Sequence, residues 1–148
     1  MHLEKKLRVL SGIQPSGALH LGNYFGMMSR MIKYQEENEL FCFIANYHAM
    51  TTLPDSKTLS SNTFNAACDF LALGLDPEKS TFWVQSDVPQ VTELTWMLAS
   101  HASVGLMDRA TSYKDKIARG IKPNMGLYAY PVLMAADILL FDSQIVPV

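Results

Sequence analysis

The sequence predicts an α/β protein built on an open, doubly wound parallel sheet with helices on both faces. Three observations predict it. The runs LRVLSG, ELFCFIA and TFWVQS are short, continuous and apolar, as strands covered on both sides are. Between them lie segments of helical periodicity, long enough to carry right-handed crossovers from one parallel strand to the next. A fourth apolar run, QIVPV, begins like another strand.

The elements follow in order. LRVLSG runs into SGIQPSGALHLGN, a Gly/Pro/Ser turn that opens a helix through ALHLGNYFGMMSRMIKYQEEN. ELFCFIA is the second strand. DSKTLSSNTFNAACDFLALGLDPEK is a helix with Asp55 or Ser56 as its N-cap, and it stops at Gly74 and Asp76-Pro77. After the third strand, VTELTWMLASHASVGLM reads as a helix or a helix pair, and GIKPNMG as a loop punctuated by Gly and Pro. Pro131 is expected in the first turn of the next helix, where its missing N–H does no harm. QIVPV ends without a polar tail or cap, so the sheet is expected to be incomplete at its C-terminal end and the chain to belong to a larger protein. No internal repeat or low-complexity segment is visible.

Composition bounds the function. At 148 residues, with 49% hydrophobic and 18% charged residues, the chain can bury a core and is not a disordered segment. No apolar run reaches the length of a membrane span and the N-terminus lacks a signal-peptide core, so a cytoplasmic protein without membrane contact is expected. Cys42 and Cys68 lie in apolar segments without a CxxC pair and are expected to be reduced core residues. No Cys/His cluster suits zinc, and no metal site is expected. The net charge of −2 provides no overall footprint for nucleic acid. Between Asp108 and Lys122, however, Arg109, Lys114, Lys116, Arg119 and Lys122 outnumber Asp108 and Asp115. Charge alone leaves two readings open, a solvated loop or a local site for a phosphate-bearing ligand.

Two stretches carry chemistry. In SGIQPSGALHLGN, Ala18-Leu19 stand where a Walker loop requires Lys and Ser/Thr, and the spacing GxGxxG is absent, so both fingerprints are excluded. What remains is a turn whose free N–H groups and positive helix end face an anion. His20 and Asn23 share a helix face and can both donate towards one phosphate chain, while Gly22 leaves room for a flat base. In YPVLMAADILLF, Tyr130, Met134, Asp137 and Phe141 share one stripe, so a carboxylate sits among bulky apolar side chains. A buried carboxylate without a donor costs several kcal/mol. From the helix alone, a core Asp held by an Arg or a backbone N–H and an Asp reserved for a ligand stand about equal.

These residues, taken in order, resemble a known family. SGIQPSGALHLGN is similar to the HIGH signature of class I aminoacyl-tRNA synthetases in the form found in tryptophanyl-tRNA synthetases. YPVLMAADILLF followed by IVPV is similar to their amino-acid-binding helix and next strand. FIANYHAMT, LGLDPEKSTFWVQSDVP and YKDK fall at matching places, so the resemblance covers essentially residues 1–148.

The resemblance implies a Rossmann-like catalytic fold that activates tryptophan with ATP, carried with Mg²⁺, and transfers it to tRNA(Trp). It also implies a homodimer. By the same resemblance Gln14, Pro15, Ser16, Gly22 and Asn23 bind ATP, and His20, Asn23 and Lys116 act in catalysis, Lys116 near the phosphates. Asp137 would accept the indole N–H, with Tyr130, Met134, His48 and Gln14 lining the tryptophan pocket. Many relatives have Thr at position 20, so His20 adds a ring N–H donor they lack. Leu10 stands where relatives often place an aromatic side chain, and Ser112 where many have Gln. The lysine-rich KMSKS loop and the helical anticodon-binding domain would lie beyond Val148, so the chain alone is expected to have little or no ligase activity.

An indole explains the odd carboxylate. It is a large apolar body with a single donor, and a pocket for it should be hydrophobic with one acceptor. The alternatives are a tyrosyl-tRNA synthetase, a nucleotidyltransferase with an HxGH-type turn, which leaves Asp137 unexplained, and an assembly module suggested by TWMLASHASVGLM.

Overall fold

The structure, a computed structural model, describes residues 6–52 and 55–147, with all their side chains except those of Thr111 and Ser112. Among the described residues the sheet has strands β1 (Arg8–Ile13), β2 (Glu39–Ile44) and β3 (Thr81–Val84), all parallel, in the order β1-β2-β3. The C-terminal run joins the other edge of β1. Val9 bridges Ile145 in parallel, and Leu10 N–H donates to the Ile145 carbonyl at 2.9 Å. The lateral order therefore reverses at β1, and in a doubly wound sheet a crevice opens at that point, outside the carboxyl ends of the strands.

The pleat explains the two faces. Alternate residues of a strand point to opposite sides, so Val9, Ile13, Leu40, Cys42 and Ile44 enter one core cluster with Met28, Met31, Ala66 and Phe70. The helical members come from the π-helical turn Tyr24–Met28, α2 (Ser29–Glu37) and α4 (Ser56–Ala72), which cover that face. Leu10, Phe43 and Ala45 point the other way and pack with Phe41, Trp83, Ile138 and Phe141, under α8 (Met125–Leu140). Burying one side chain such as Phe70 contributes about 1.5–3 kcal/mol. Burial also holds the Cys42 thiol well above the usual cysteine range. Cys68 is exposed, contrary to the core placement expected for it. Ala66 and Phe70 define the buried face of α4, and Cys68, two residues from each, turns to the opposite side.

Helix boundaries follow local chemistry. Asp55 caps α4 through the Thr58 N–H, and those hydrogen bonds from Thr58 hold its carboxyl below the usual range. Past the end of α4, Gly74 takes φ +106°, a conformation glycine adopts freely. Gln35 on α2 locks this turn. Its Nε2 donates to the Gly74 carbonyl at 2.9 Å, and its Oε1 accepts from Asp76 N–H at 2.9 Å and Ser80 Oγ at 3.2 Å. Gln35→Ala removes the buried side chain and all three bonds, one of them to buried Ser80, and the expected loss is about 2–4 kcal/mol in equilibrium urea unfolding.

The segment after β3 is a helix pair, α5 (Gln90–Ala99) and α6 (Val104–Met107), with Ser103 capping the second through Leu106 N–H. Two expectations need correction. The basic stretch is not simply a loop, because Thr111–Ala118 forms helix α7. Pro131 is not in a first turn. Asn124 Oδ1 accepts the Leu127 N–H at 2.8 Å and starts α8 at Met125, so Pro131 lies well inside the helix and deprives the Leu127 carbonyl of its usual partner.

Candidate active site

At the strand-order reversal the structure forms a cleft of about 170 Å³, a size that accommodates an aromatic ring. Its walls come from β1 (Leu10, Ser11, Gly12), from Phe43 of β2 and Ala45 just after it, from Gln14, Met27 and His48, and from Tyr130, Met134, Asp137 and Ile138 on α8. Val146 and Pro147 close one side. The floor is tightly fitted. A Cβ at Gly12 would meet the Phe43 ring at 2.6 Å, and Phe43 stacks on Trp83 with centroids 5.3 Å apart.

Asp137 is 3% exposed, and its carboxylate is met by two side chains rather than by an Arg or a backbone N–H. His48, buried on the short helix α3 (Asn46–Met50), places Nε2 2.8 Å from Oδ2. Gln85, fully buried just after β3, donates from Nε2 to Oδ1 at 2.8 Å and to Oδ2 at 3.0 Å. A carboxylate offers about four acceptor positions. Oδ2 is filled by these two donors and Oδ1 by one, so one position on Oδ1 remains in a group that lines the cleft. The other ring nitrogen of His48, Nδ1, is buried without a hydrogen-bond partner among the described residues.

The aromatic wall is also tied in. Tyr130 stands edge-on to His48 with centroids 4.5 Å apart, and its hydroxyl accepts from Gln14 Nε2 at 3.3 Å. Burial first, opposed by the Gln14 hydrogen bond and aided by Asp137, raises the Tyr130 pKa. Lys116 of α7 lies over the outer side of the same ring, Nζ 4.4 Å from its centroid. Burial lowers its pKa, since a half-buried ammonium loses hydration.

The turn after β1 builds a second constellation. His20 is the N-cap of α1 (Leu21–Asn23), the first turn of the helix that continues through the π-helical turn into α2. Its Nδ1 accepts the Gly22 N–H at 3.1 Å, and Asn23 Oδ1 accepts the His20 N–H at 3.0 Å. This reciprocal cap has a chemical consequence. With Nδ1 accepting, the ring carries its proton on Nε2, and Asn23 keeps its whole NH₂, so both side chains retain free donors. Gly22 serves the ring directly: a Cβ there would lie 2.9 Å from His20 Cε1 and Nδ1. Upstream, Pro15 is buried, its carbonyl accepts from Asn62 Nδ2 at 3.2 Å, and Ser16 is exposed.

Of the residues singled out from sequence, the structure gathers Gln14, His48, Tyr130, Met134 and Asp137 around one cleft. It does not bring Pro15, Ser16, His20, Gly22, Asn23 or Lys116 into that lining. The first five belong to the turn and helix start that follow Gln14, and Lys116 sits against the back of Tyr130. Leu10 is buried in the cleft wall, and the side chain of Ser112 lies outside the described ones. Sequence reasoning missed Gln85. The signal was present in the alternation of TFWVQS, where a polar residue continues the inward face that Trp83 begins. Among the described residues no group of three or more His, Cys, Asp or Glu is placed to hold a metal ion.

Comparison with known proteins shows the family and the fold. The family described as tRNA synthetases class I (W and Y) matches residues 1–148. A tryptophan–tRNA ligase from Campylobacter jejuni (strain RM1221) is 58% identical over 142 residues, which is 96% of this chain and 44% of that protein. The chain thus spans under half the length of that relative. The crystal structure of tryptophanyl-tRNA synthetase from Campylobacter jejuni complexed with ADP and tryptophan superposes with a TM-score of 0.92 at 58% identity, over 96% of this chain and 44% of that one. A tyrosyl-tRNA synthetase from Archaeoglobus fulgidus complexed with L-tyrosine shares the fold, with a TM-score of 0.80 at 23% identity over 97% of this chain and 46% of that one.

Proposed function

The chain belongs to the class I tRNA synthetases for tryptophan and tyrosine, and from that premise we propose that it forms the N-terminal part of the catalytic unit of a tryptophan–tRNA ligase. The observation that carries the choice is Asp137, a carboxylate sunk in an apolar cleft with one acceptor position left. An indole fills the cleft with carbon and supplies the one missing donor. A phenylalanine ring would leave that acceptor dry. The 58% identity to tryptophan–tRNA ligases supports the same choice over tyrosine.

The reaction begins when the tryptophan carboxylate attacks the α-phosphorus of ATP. A new O–P bond forms as the bond to pyrophosphate breaks. The nucleophile needs no general base, so positioning and charge stabilisation do the catalysis. Gln14, Pro15, Ser16, Gly22 and Asn23 would line the nucleotide, while the free donors of His20 and Asn23 meet the phosphates. Mg²⁺ arrives with ATP as part of the substrate. The KMSKS loop, the anticodon-reading domain and most contacts to tRNA(Trp) would belong to the chain beyond residue 148. Exposed Trp96 and Met97 on α5 are candidates for a homodimer contact. None of the described helices is long and apolar enough to cross a membrane, and a cytoplasmic place in translation fits the reaction.

The direct test is amino-acid-dependent exchange of labelled pyrophosphate into ATP by the full-length protein. Tryptophan is expected to support it, with tyrosine and phenylalanine near background. Exchange driven best by tyrosine would replace this reading with its sister activity. Lys116 gives a second check. Lys116→Met is expected to raise the KM for ATP roughly tenfold while leaving the KM for tryptophan near its starting value. Because burial lowers the Lys116 pKa, the ammonium is lost at a lower pH than an ordinary lysine's. The KM for ATP should therefore climb with pH earlier than ordinary lysine titration would dictate, and the variant should lack that climb.

A further inference from the structure

Gln85 has no place among the motif residues, yet its amide joins three elements. Its Oε1 accepts the Tyr47 N–H of α3 at 3.0 Å, which turns the donor end, Nε2, towards Asp137 on α8. Neighbouring bonds hold the same junction. Asn46 Nδ2 donates to Ser86 Oγ at 2.8 Å, and Ser86 N–H donates to Asn46 Oδ1 at 3.1 Å. A flipped amide would set donor against donor at Tyr47 and acceptor against acceptor at Asp137, so the backbone of α3 dictates its orientation. The carboxylate is thereby held from the β3 end at both oxygens, while His48 holds Oδ2 alone.

We propose that Gln85 is the positioning residue that sets the specificity of this cleft. It holds the Asp137 carboxylate in one orientation and occupies acceptor positions, so that a single one, on Oδ1, is presented to the ligand's N–H. The proposal rests on the reading of the cleft as a tryptophan site and deepens it. Gln85 touches no ligand itself. It acts through Asp137, and a change there should alter recognition of the indole N–H rather than the chemical step.

The test uses the full-length protein and two amino acids, tryptophan and the analogue in which sulfur replaces the indole N–H. Gln85→Met keeps the length and apolar stem of the side chain and deletes both ends of the amide. In pyrophosphate exchange its KM for tryptophan should rise about tenfold or more, while kcat and the KM for the sulfur analogue change little. Gln85→Glu keeps an acceptor for Tyr47 N–H and sets a second carboxyl against Asp137. Its KM for tryptophan should be raised near neutral pH and recover as the pH is lowered, when a proton shared by the two carboxyls restores a donor. That recovery decides the matter if Gln85→Met does not fold.

Equal losses for both amino acids in Gln85→Met, or a Gln85→Glu variant with the pH profile of the unmodified protein, would overturn the proposal and leave Gln85 as packing. Asp137→Asn separates this from the reading beneath it. If that variant retains the preference for tryptophan over the sulfur analogue, the assignment of the cleft is itself wrong. If it loses the preference while both Gln85 variants keep it, only the role of Gln85 falls.

Discussion

Asp137→Asn in the full-length protein is expected to lower kcat/KM for tryptophan roughly 30- to 1,000-fold, equivalent to about 2–4 kcal/mol of transition-state stabilisation. The argument is one of donors and acceptors. His48 Nε2 and Gln85 Nε2 converge on the carboxylate. An amide at this position must turn its own NH₂ towards one of them or towards the indole N–H. Facing Gln85 or the indole, it sets two donors against each other in a buried site; facing His48, it forces the imidazole proton onto Nδ1, which has no hydrogen-bond partner among the described residues. The sulfur analogue of tryptophan has no N–H to lose, so its kcat/KM should fall much less, and the ratio of the two substrates in pyrophosphate exchange is the informative measurement. Discrimination left unchanged would remove Asp137 from the role assigned to it. The same variant should melt at a lower temperature, because the donors it strands belong to α3 and to the turn after β3.

His20→Ala should act on a different quantity. Removing the ring takes away a free Nε2–H aimed from the helix start, and deleting one pre-aligned donor to a developing phosphate charge typically costs about 10²–10³ in kcat. The KM for tryptophan should stay near its starting value, since His20 does not line the cleft that holds Asp137. His20 is exposed and its cap bonds are local, so the melting temperature should change little. His20→Thr supplies the comparison. A threonine can still cap the Gly22 or Asn23 N–H with its hydroxyl and keeps a short donor, so its kcat should lie between those of the alanine variant and the unmodified protein. Single-turnover adenylate formation reads the difference. An alanine variant with full kcat would place the phosphate-stabilising donors elsewhere.

Much of this candidate site is legible in the sequence. The HLGN start and the stripe through Tyr130, Met134 and Asp137 depend on spacing along one helix, and one-dimensional periodicity carries that information faithfully. Gln14 and His48 were reached through the motif resemblance, not through spacing. The errors have local causes. Proline is most easily accommodated in a first turn, but Asn124 caps α8 at Met125 and so leaves Pro131 inside the helix. Its apolar neighbours point Cys68 to the core, yet Phe64 and Leu71 on the same side of α4 are also exposed. The basic stretch carried no strong helix signal, yet Thr111–Ala118 is helical and lays Lys116 on Tyr130.

The sequence by itself determined the parallel α/β architecture, the turn that opens the first helix and the carboxylate stripe of the last one, since each rests on residue types at short, regular intervals. Only the tertiary structure decided what meets that carboxylate. Gln85, His48 and Asp137 are far apart in the chain and come together because α8 packs on the sheet face beside the carboxyl ends of β2 and β3, which lead into α3 and into the turn that holds Gln85. Hydrogen-bond partners across such distances leave no period to read. They are set by strand order and by which way each pleat turns its side chains.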